Sequence, residues 1–381
     1  MTLLRTHENR TNVLVKTESS LSPANVGAQR DITEEALQVF NKYISTVLLT
    51  VLSPVGLVTN ILNIIVYWNQ GIKDNANITF LALSFWDLMH CFLLFLSEIC
   101  FVLNILFPQA SVYIKPVTFQ LVFLGHTRGC MYVLSTLVTV YLSVERSICI
   151  ALPFRVKDIF TTPRVVLINL LIAVFGFACF SPAWATQGIH WVYDPRSNTT
   201  LLQLWISVNR RDVDLFVDTL NGIVTPSVAQ ILISVSGWFM IQGINRSNKL
   251  RQNQTSVSKS LNVFTLNDQL HKTLSSRIKF TRDKTVTNKD IKLTKVVVSL
   301  AAIFFTCNLP VVVVAVLRAM IADIDIGKRL FSWYKALYGI VYFCGVINCS
   351  VNIFVYYNVS SKYRREFVAL FCRMKIRNKI L

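Results

Sequence analysis

Charge is what this sequence has least of. Only 15% of its 381 residues are Asp, Glu, Lys or Arg, against 53% hydrophobic, where a soluble domain carries about 25% charged residues. So few charges cannot cover that much apolar surface, which excludes a water-soluble globule. The same hydrophobicity excludes a disordered chain. Thirteen Gly and ten Pro are too few for collagen-like or low-complexity classes. The nine cysteines (Cys91, Cys100, Cys130, Cys149, Cys179, Cys307, Cys344, Cys349 and Cys372) show no CxxC metal spacing and no disulfide framework, and none lies in a clear outer loop. The five histidines, His7, His90, His126, His190 and His271, are dispersed. No metal spacing, phosphate loop or nucleophile constellation appears, which argues against an enzyme. No repeat recurs at roughly 20–50 residues.

What is present is a series of long apolar runs. A helix needs roughly 20 mostly apolar residues to cross a bilayer. Seven stretches qualify: Tyr43–Trp68, Ile78–Phe107, Val117–Ile150, Val165–Trp184, Val213–Ile244, Ile291–Ile321 and Leu330–Tyr357. The fifth is the weakest, with Asp214 and Asp218 near its start. The expected fold is an all-α membrane protein, a seven-helix bundle over 43–357. It is preceded by an uncleaved polar tail (1–42) and followed by a short amphipathic helix and tail (358–381).

Lys and Arg placement sets the orientation. With the N-terminus outside, the outer segments hold 13 Lys+Arg and 12 Asp+Glu, the inner ones 24 and 7. Almost all of the +18 net charge is therefore cytoplasmic. These are loop charges of a membrane protein, suited to anionic lipid or an acidic partner surface and not a sign of nucleic-acid binding. The longest inner loop, 245–290, is basic and rich in Ser and Thr. Among the sequons, Asn9 and Asn198 fall outside and are the N-glycosylation candidates. After Tyr356, the residues Phe367, Leu370 and Phe371 repeat at helical spacing with basic residues opposite. That pattern describes a helix lying on the inner leaflet. Cys372 at its end is a palmitoylation candidate, with a free juxtamembrane thiol as the alternative.

Polar groups in hydrocarbon are costly and need a partner or a purpose. The third span ends Ser143-Val144-Glu145-Arg146-Ser147, with Pro153 in the next loop. The second holds Leu81-Ala82-Leu83-Ser84-Phe85-Trp86-Asp87-Leu88, and the first Gly56-Leu57-Val58-Thr59-Asn60. The sixth holds Phe304-Phe305-Thr306-Cys307-Asn308-Leu309-Pro310, and the fifth has Pro226. The seventh reads Asn348-Cys349-Ser350-Val351-Asn352-Ile353-Phe354-Val355-Tyr356. In this order and spacing the motifs resemble the rhodopsin-like (class A) G protein-coupled receptors over Tyr43–Cys372. The second and seventh spans are most similar to invertebrate peptide receptors and molluscan chemosensory-type receptors.

The resemblance implies a receptor in the plasma membrane that binds an extracellular ligand and activates a heterotrimeric G protein. Glu145, Arg146, Asn352 and Tyr356 would form the coupling switch. A snorkelling interfacial charge pair is the plain alternative for Glu145-Arg146. Asn60, Asp87, Ser135, Asn348 and Asn352 would form a polar network that in the family holds a sodium ion, the alternative being a structural network without one. Asn348, Asn352 and Tyr356 recur every four residues on one helix face. Pro226 and Pro310 would allow bending, with Phe304 packing at the bend.

The sequence departs from the family's pattern in several places. The family's third-span cysteine position holds Leu121, and Trp184–Asp212 has no Cys. No disulfide is expected there, and the outer loop should be less constrained. Asn308 stands where Trp is usual and Ile353 where Pro is usual. Arg128 lies 18 residues before Arg146. That is five helical turns, so both face the bundle interior about 27 Å apart. Glu98, eleven residues after Asp87, also looks into the outer mouth. Arg128, Glu98, His126 and Asn308 are the candidate ligand pocket. Arg128 would receive an anionic group of a peptide or small chemosensory ligand, with Glu98 as an internal counter-ion. A basic peptide on Asp212, Asp214 and Asp218 is the competing ligand. A transporter of small anionic solutes is the alternative function, although paired halves and broken helices are not found.

Overall fold

The computed structural model describes residues 34–41, 46–72, 74–107, 119–152, 156–194, 198–263, 288–321, 323–324 and 328–380. Asn9, Pro153 and most of the inner loop at 264–287 lie outside the described residues. Seven helices are long and apolar enough to cross a membrane. They are α1 (Thr46–Gln70), α2 (Asn75–Leu106), α3 (a π turn Gln120–Gly125 continuing as His126–Ala151) and α4 (Thr162–Ala185). Then come α5 (Arg210–Asp218, a π turn Thr219–Val224, and Thr225–Val263), α6 (Asn288–Met320) and α7 (Phe331–Val359). A further helix, α8 (Ser361–Ile380), follows at once.

The largest departure from the expected boundaries is in α5. It starts at Arg210, three residues before the expected Val213, so Asp212 joins Asp214 and Asp218 in the helix. It also runs on to Val263, so the first part of the 245–290 loop is a helical extension. No Gly or Pro occurs after Gly243 in this helix, and nothing breaks its hydrogen-bond ladder. Pro226 lacks the N–H that would continue the ladder. The wide turn before it takes up the mismatch, with the Thr225 N–H donating to Leu220 O.

α3 is the central post. It buries 61% of its most apolar stretch, whereas α4 buries 22% and exposes Leu170, Val174 and Phe175. An apolar face of that kind belongs against lipid, where it costs nothing. Small residues allow close approach between helices. A Cβ on Gly56 of α1 would lie 2.5 Å from Cys91 Sγ of α2 and 2.8 Å from Ser350 Oγ of α7. An inner core cluster joins Tyr67, Phe80, Leu142, Met240, Val296, Tyr356 and Tyr363. An outer one joins Cys130, Leu134, Phe180, Ala183 and Val217.

The outer segment between α4 and α5 is more ordered than its lack of cysteine suggested. It is an antiparallel hairpin of β1 (Gln187–Asp194) and β2 (Thr199–Ile206), paired from Gln187↔Ile206 to Asp194↔Thr199. Asn198 closes the turn with φ 51°, a left-handed conformation that Asn tolerates. Its Oδ1 accepts the Tyr193 hydroxyl at 2.6 Å. The hairpin is tied to α3 by Gln187, whose Nε2 donates to Val122 O at 2.7 Å. All nine cysteines are free thiols.

Candidate functional site

Polar side chains gather at three depths of the bundle. At the inner end of α3, the guanidinium of Arg146 donates from Nη2 to Oε1 of Glu145. Both residues are buried, and Asp290 at the start of α6 acts on Arg146 electrostatically. Glu145 Oε2 and Arg146 Nε have no hydrogen-bond partner among the described residues. The pair is therefore held but not saturated. A separation of α6 from α3 would leave Arg146 able to reach another acceptor.

At mid-depth, Asp87 of α2 is closed on both oxygens. Ser135 Oγ of α3 donates to Oδ1 at 2.5 Å, and Asn352 Nδ2 of α7 donates to Oδ2 at 2.8 Å. Two of the five expected network members stand apart. Asn60 Nδ2 donates instead to backbone oxygens, Gly56 O at 2.9 Å and Cys349 O at 3.0 Å. It pins α1 to α7 and does not touch the carboxylate. Asn348 makes no side-chain hydrogen bond among the described residues, although only 8% of it is exposed.

Just above lies Asn308, and here the pocket expectation needs correction. Asn308 is fully buried. Its Oδ1 accepts Tyr132 O–H at 2.8 Å, and its Nδ2 donates to Phe304 O at 3.0 Å. It locks α6 to α3 beneath the cleft and does not line it. Phe304 packs with Ala229, Ile233 and Ala301, which puts it at the α5–α6 contact just inward of Pro226.

At the outer end, Arg128 and Glu98 are both buried, each 8% exposed. The expected ion pair between them is absent among the described residues. The Arg128 guanidinium lies over the Tyr342 ring of α7, 4.0 Å from its centroid. His126 also leaves the expected pocket. Two residues along a helix turn the side chain by about 200°, and His126 faces α5, where Nε2 is 3.3 Å from Arg210 Nη2 and 3.7 Å from Asp214. Arg210 in turn donates to Ala183 O at 2.6 Å and Thr186 Oγ1 at 3.1 Å, and bridges Asp214 at 2.8 Å. Asp218 pairs with Arg318 at 3.8 Å. Asp214 and Asp218, two acids of the supposed basic-peptide surface, thus have internal cations.

The family model for the 7 transmembrane receptor (rhodopsin family) matches residues 59–356. The chain belongs to that family. No curated protein matches it as a relative. As a rhodopsin-family receptor it is a multi-pass membrane protein, of a class that signals to G proteins and is in general not enzymatic. Solute transport is not favoured.

The receptor also has a polar chain that the motifs did not point to. Tyr363 of α8 is fully buried, and its hydroxyl donates to Asn63 Oδ1 at 2.6 Å. Asn63 Nδ2 reaches Asn60 Oδ1 at 3.4 Å, and Asn60 holds the α7 backbone. Around this line stack Tyr67, Phe80, Tyr356 and Tyr363, with centroids 5.2–5.4 Å apart. Burial pushes the Tyr363 phenol above the usual tyrosine range. The signal existed in the sequence: Tyr363 lies four residues before Phe367, on the same face. Cys372, farther along α8, is exposed.

Proposed function

We propose that this receptor binds an extracellular ligand bearing an anionic group, a peptide or a small chemosensory molecule, at Arg128, and activates a heterotrimeric G protein through Arg146 in the plasma membrane. The observation that carries the ligand half is the Arg128 guanidinium, buried against a ring face of α7 and with no hydrogen-bond acceptor among the described residues. The coupling half is supported by the buried but unsaturated Glu145–Arg146 pair. The second and seventh spans support the likeness to invertebrate peptide and chemosensory-type receptors. The internal pairing of Asp214 and Asp218 weighs against a basic peptide.

A panel of anionic metabolites and amidated peptides, read by second messenger, tests the ligand class. Arg128→Ala should reduce potency by about 2–5 kcal/mol equivalent, the cost of breaking a buried charge pair. Arg146→Ala should abolish stimulated nucleotide exchange with surface expression near normal. Full signalling in that variant removes the coupling role.

The groups around Asp87 also fit a small monovalent cation. They offer a carboxylate, the Ser135 hydroxyl and the amide oxygen of Asn352, and the Asn348 amide, which makes no side-chain hydrogen bond among the described residues, would have to turn toward them to join. Sodium held there in the resting state would lower agonist affinity by linkage. Replacing sodium with a bulky organic cation should raise agonist affinity in the wild type and leave Asp87→Asn unchanged. Equal sensitivity in both would make the network purely structural.

A further inference from the structure

The outer cleft holds two buried charges of opposite sign that feel each other's field but form no direct ion pair. Glu98 has no hydrogen bond or ion pair among the described residues, and the guanidinium of Arg128 contacts the Tyr342 ring there instead of a carboxylate. Burying an unpaired charge within a bundle is costly. The usual remedy, a direct bridge between the two, is not taken. The Tyr342 ring, packed in the Leu94–Val346 cluster, holds the guanidinium toward α7. Leu94 is one turn inward of Glu98 on α2, so Glu98 and the Arg128–Tyr342 stack border the same cleft between α2, α3 and α7.

A third unmet group lies below them. His90 Nδ1 is 3.2 Å from Arg128 O. A carbonyl only accepts, so Nδ1 carries the proton and Nε2 is left as an acceptor. That Nε2 is buried and has no donor among the described residues, and His90 is 4% exposed. The outer end of the bundle therefore holds one cation, one carboxylate and, packed beneath them, one acceptor without a donor among the described residues.

We infer that the cleft takes an amphoteric ligand, one short frame carrying both an anionic group for Arg128 and an ammonium or other cationic donor for Glu98, such as a free amino carboxylate or a peptide terminus of that kind. This rests on the anion-binding role proposed for Arg128 and narrows it. His90 Nε2 accepts a further N–H or O–H of the ligand. A purely anionic ligand leaves Glu98 buried and repelled. A purely cationic one leaves Arg128 in the same position. Recognition by two opposite charges excludes singly charged analogues of the same shape, because each leaves one buried charge unmet.

The test uses the full-length receptor in lipid nanodiscs with a heterotrimeric G protein. The probes are a series of free dipeptides and α,ω-amino carboxylates, their N-acetyl forms and their carboxamides, at up to millimolar concentration. Some free form should bind and stimulate exchange, with its acetyl and amide analogues at least about tenfold weaker, the ratio for one lost charge contact of modest strength. Glu98→Gln should bring the acetyl form level with the free form. Arg128→Gln should do so for the amide.

An acetyl form as potent as the free form in the wild type, with loss in Arg128→Gln, overturns the inference and leaves the anion site standing. Amides that remain potent irrespective of Arg128 overturn both. Silence across the series overturns the inference, while the wider anionic panel still tests the site. One arm needs no ligand. The unfolding-temperature shifts of Glu98→Gln and Arg128→Gln should add in the double variant, whereas strong coupling would show an internal pair and overturn the inference.

Discussion

Asp87 and Glu98 are carboxylates on the same helix, eleven residues apart, both buried. Asp87 is met on both oxygens by Ser135 and Asn352, donors from two other helices. Glu98 is met by no hydrogen-bond donor among the described residues, and Arg128, which acts on it only through space, leans on a ring instead. The cost of bringing a carboxylate into the bundle is thus offset in two ways. At mid-depth the chain supplies the partners, so the residues there hold the helices together. At the outer end the described residues supply no such partners, and on the reading proposed above the residues there set recognition. Substitutions at the first site should register mainly as stability, and at the second mainly as ligand response.

The sharpest break of this contrast is Asp87→Leu beside Glu98→Gln. Asp87→Leu orphans the Ser135 hydroxyl and the Asn352 amide, at about 1–3 kcal/mol for each buried donor left unmet. Glu98→Gln removes no hydrogen bond and relieves an unpaired buried charge, so it should hold or raise the unfolding temperature of the detergent-solubilised receptor. Equal destabilisation by the two would erase the distinction.

Arg210 separates depth from partnership. It is as far out as Arg128, yet its guanidinium is filled by Ala183 O, Thr186 and Asp214. Arg210→Met keeps the length and removes the bonds. The loss should be about 1–3 kcal/mol, the low end being set by Asp214, whose side chain is 40% exposed and screened. The hairpin base should loosen with it, seen as faster amide exchange in β1 and β2. If Arg210→Met unfolds no earlier than wild type, lack of a partner is not what sets the Arg128 site apart.

Much of this geometry could be read from spacing alone. Arg128, Ser135 and Arg146 share an α3 face because 18 and eleven residues are close to whole turns, and all three lie in the interior. Seven apolar runs fixed the number of spans. Spacing failed where a side chain chooses among neighbours. It put Glu98 and Arg128 in one cleft but could not foresee the Tyr342 platform, which belongs to a helix more than 200 residues away in sequence. It grouped His126 with Arg128 by nearness in sequence, although two residues turn a helix to its other side. It placed Asn308 in the pocket because it stands where an aromatic is usual, although a short amide reaches only Tyr132 and its own backbone. The hairpin was legible in principle. Ile189, Trp191, Val192 and Tyr193 on one side, and Thr199, Thr200, Trp205 and Ile206 on the other, are strand-favouring residues that flank the Asp194–Asn198 turn cluster.

The smallest effect lies farthest inward, where the self-sufficient half of the molecule meets α8. Tyr363→Phe keeps the ring stack with Tyr356 and Tyr67 and deletes only the bond to Asn63. Hydrogen bonds between membrane helices average about 0.6 kcal/mol and reach about 1.7, so α8 docking should weaken by that amount. A spin label on the exposed Cys372 would report it as increased mobility. The sign with pH follows from burial. The docked phenol resists ionisation, whereas an undocked phenol ionises in the ordinary tyrosine range. The docked state therefore binds the proton more tightly, and its advantage is complete below that range and declines as pH rises through it. Wild-type α8 should loosen there and Tyr363→Phe, with no proton to lose, should not. If both loosen at the same pH, the ring stack alone holds α8, and the polar line through Asn63 and Asn60 ends at α1.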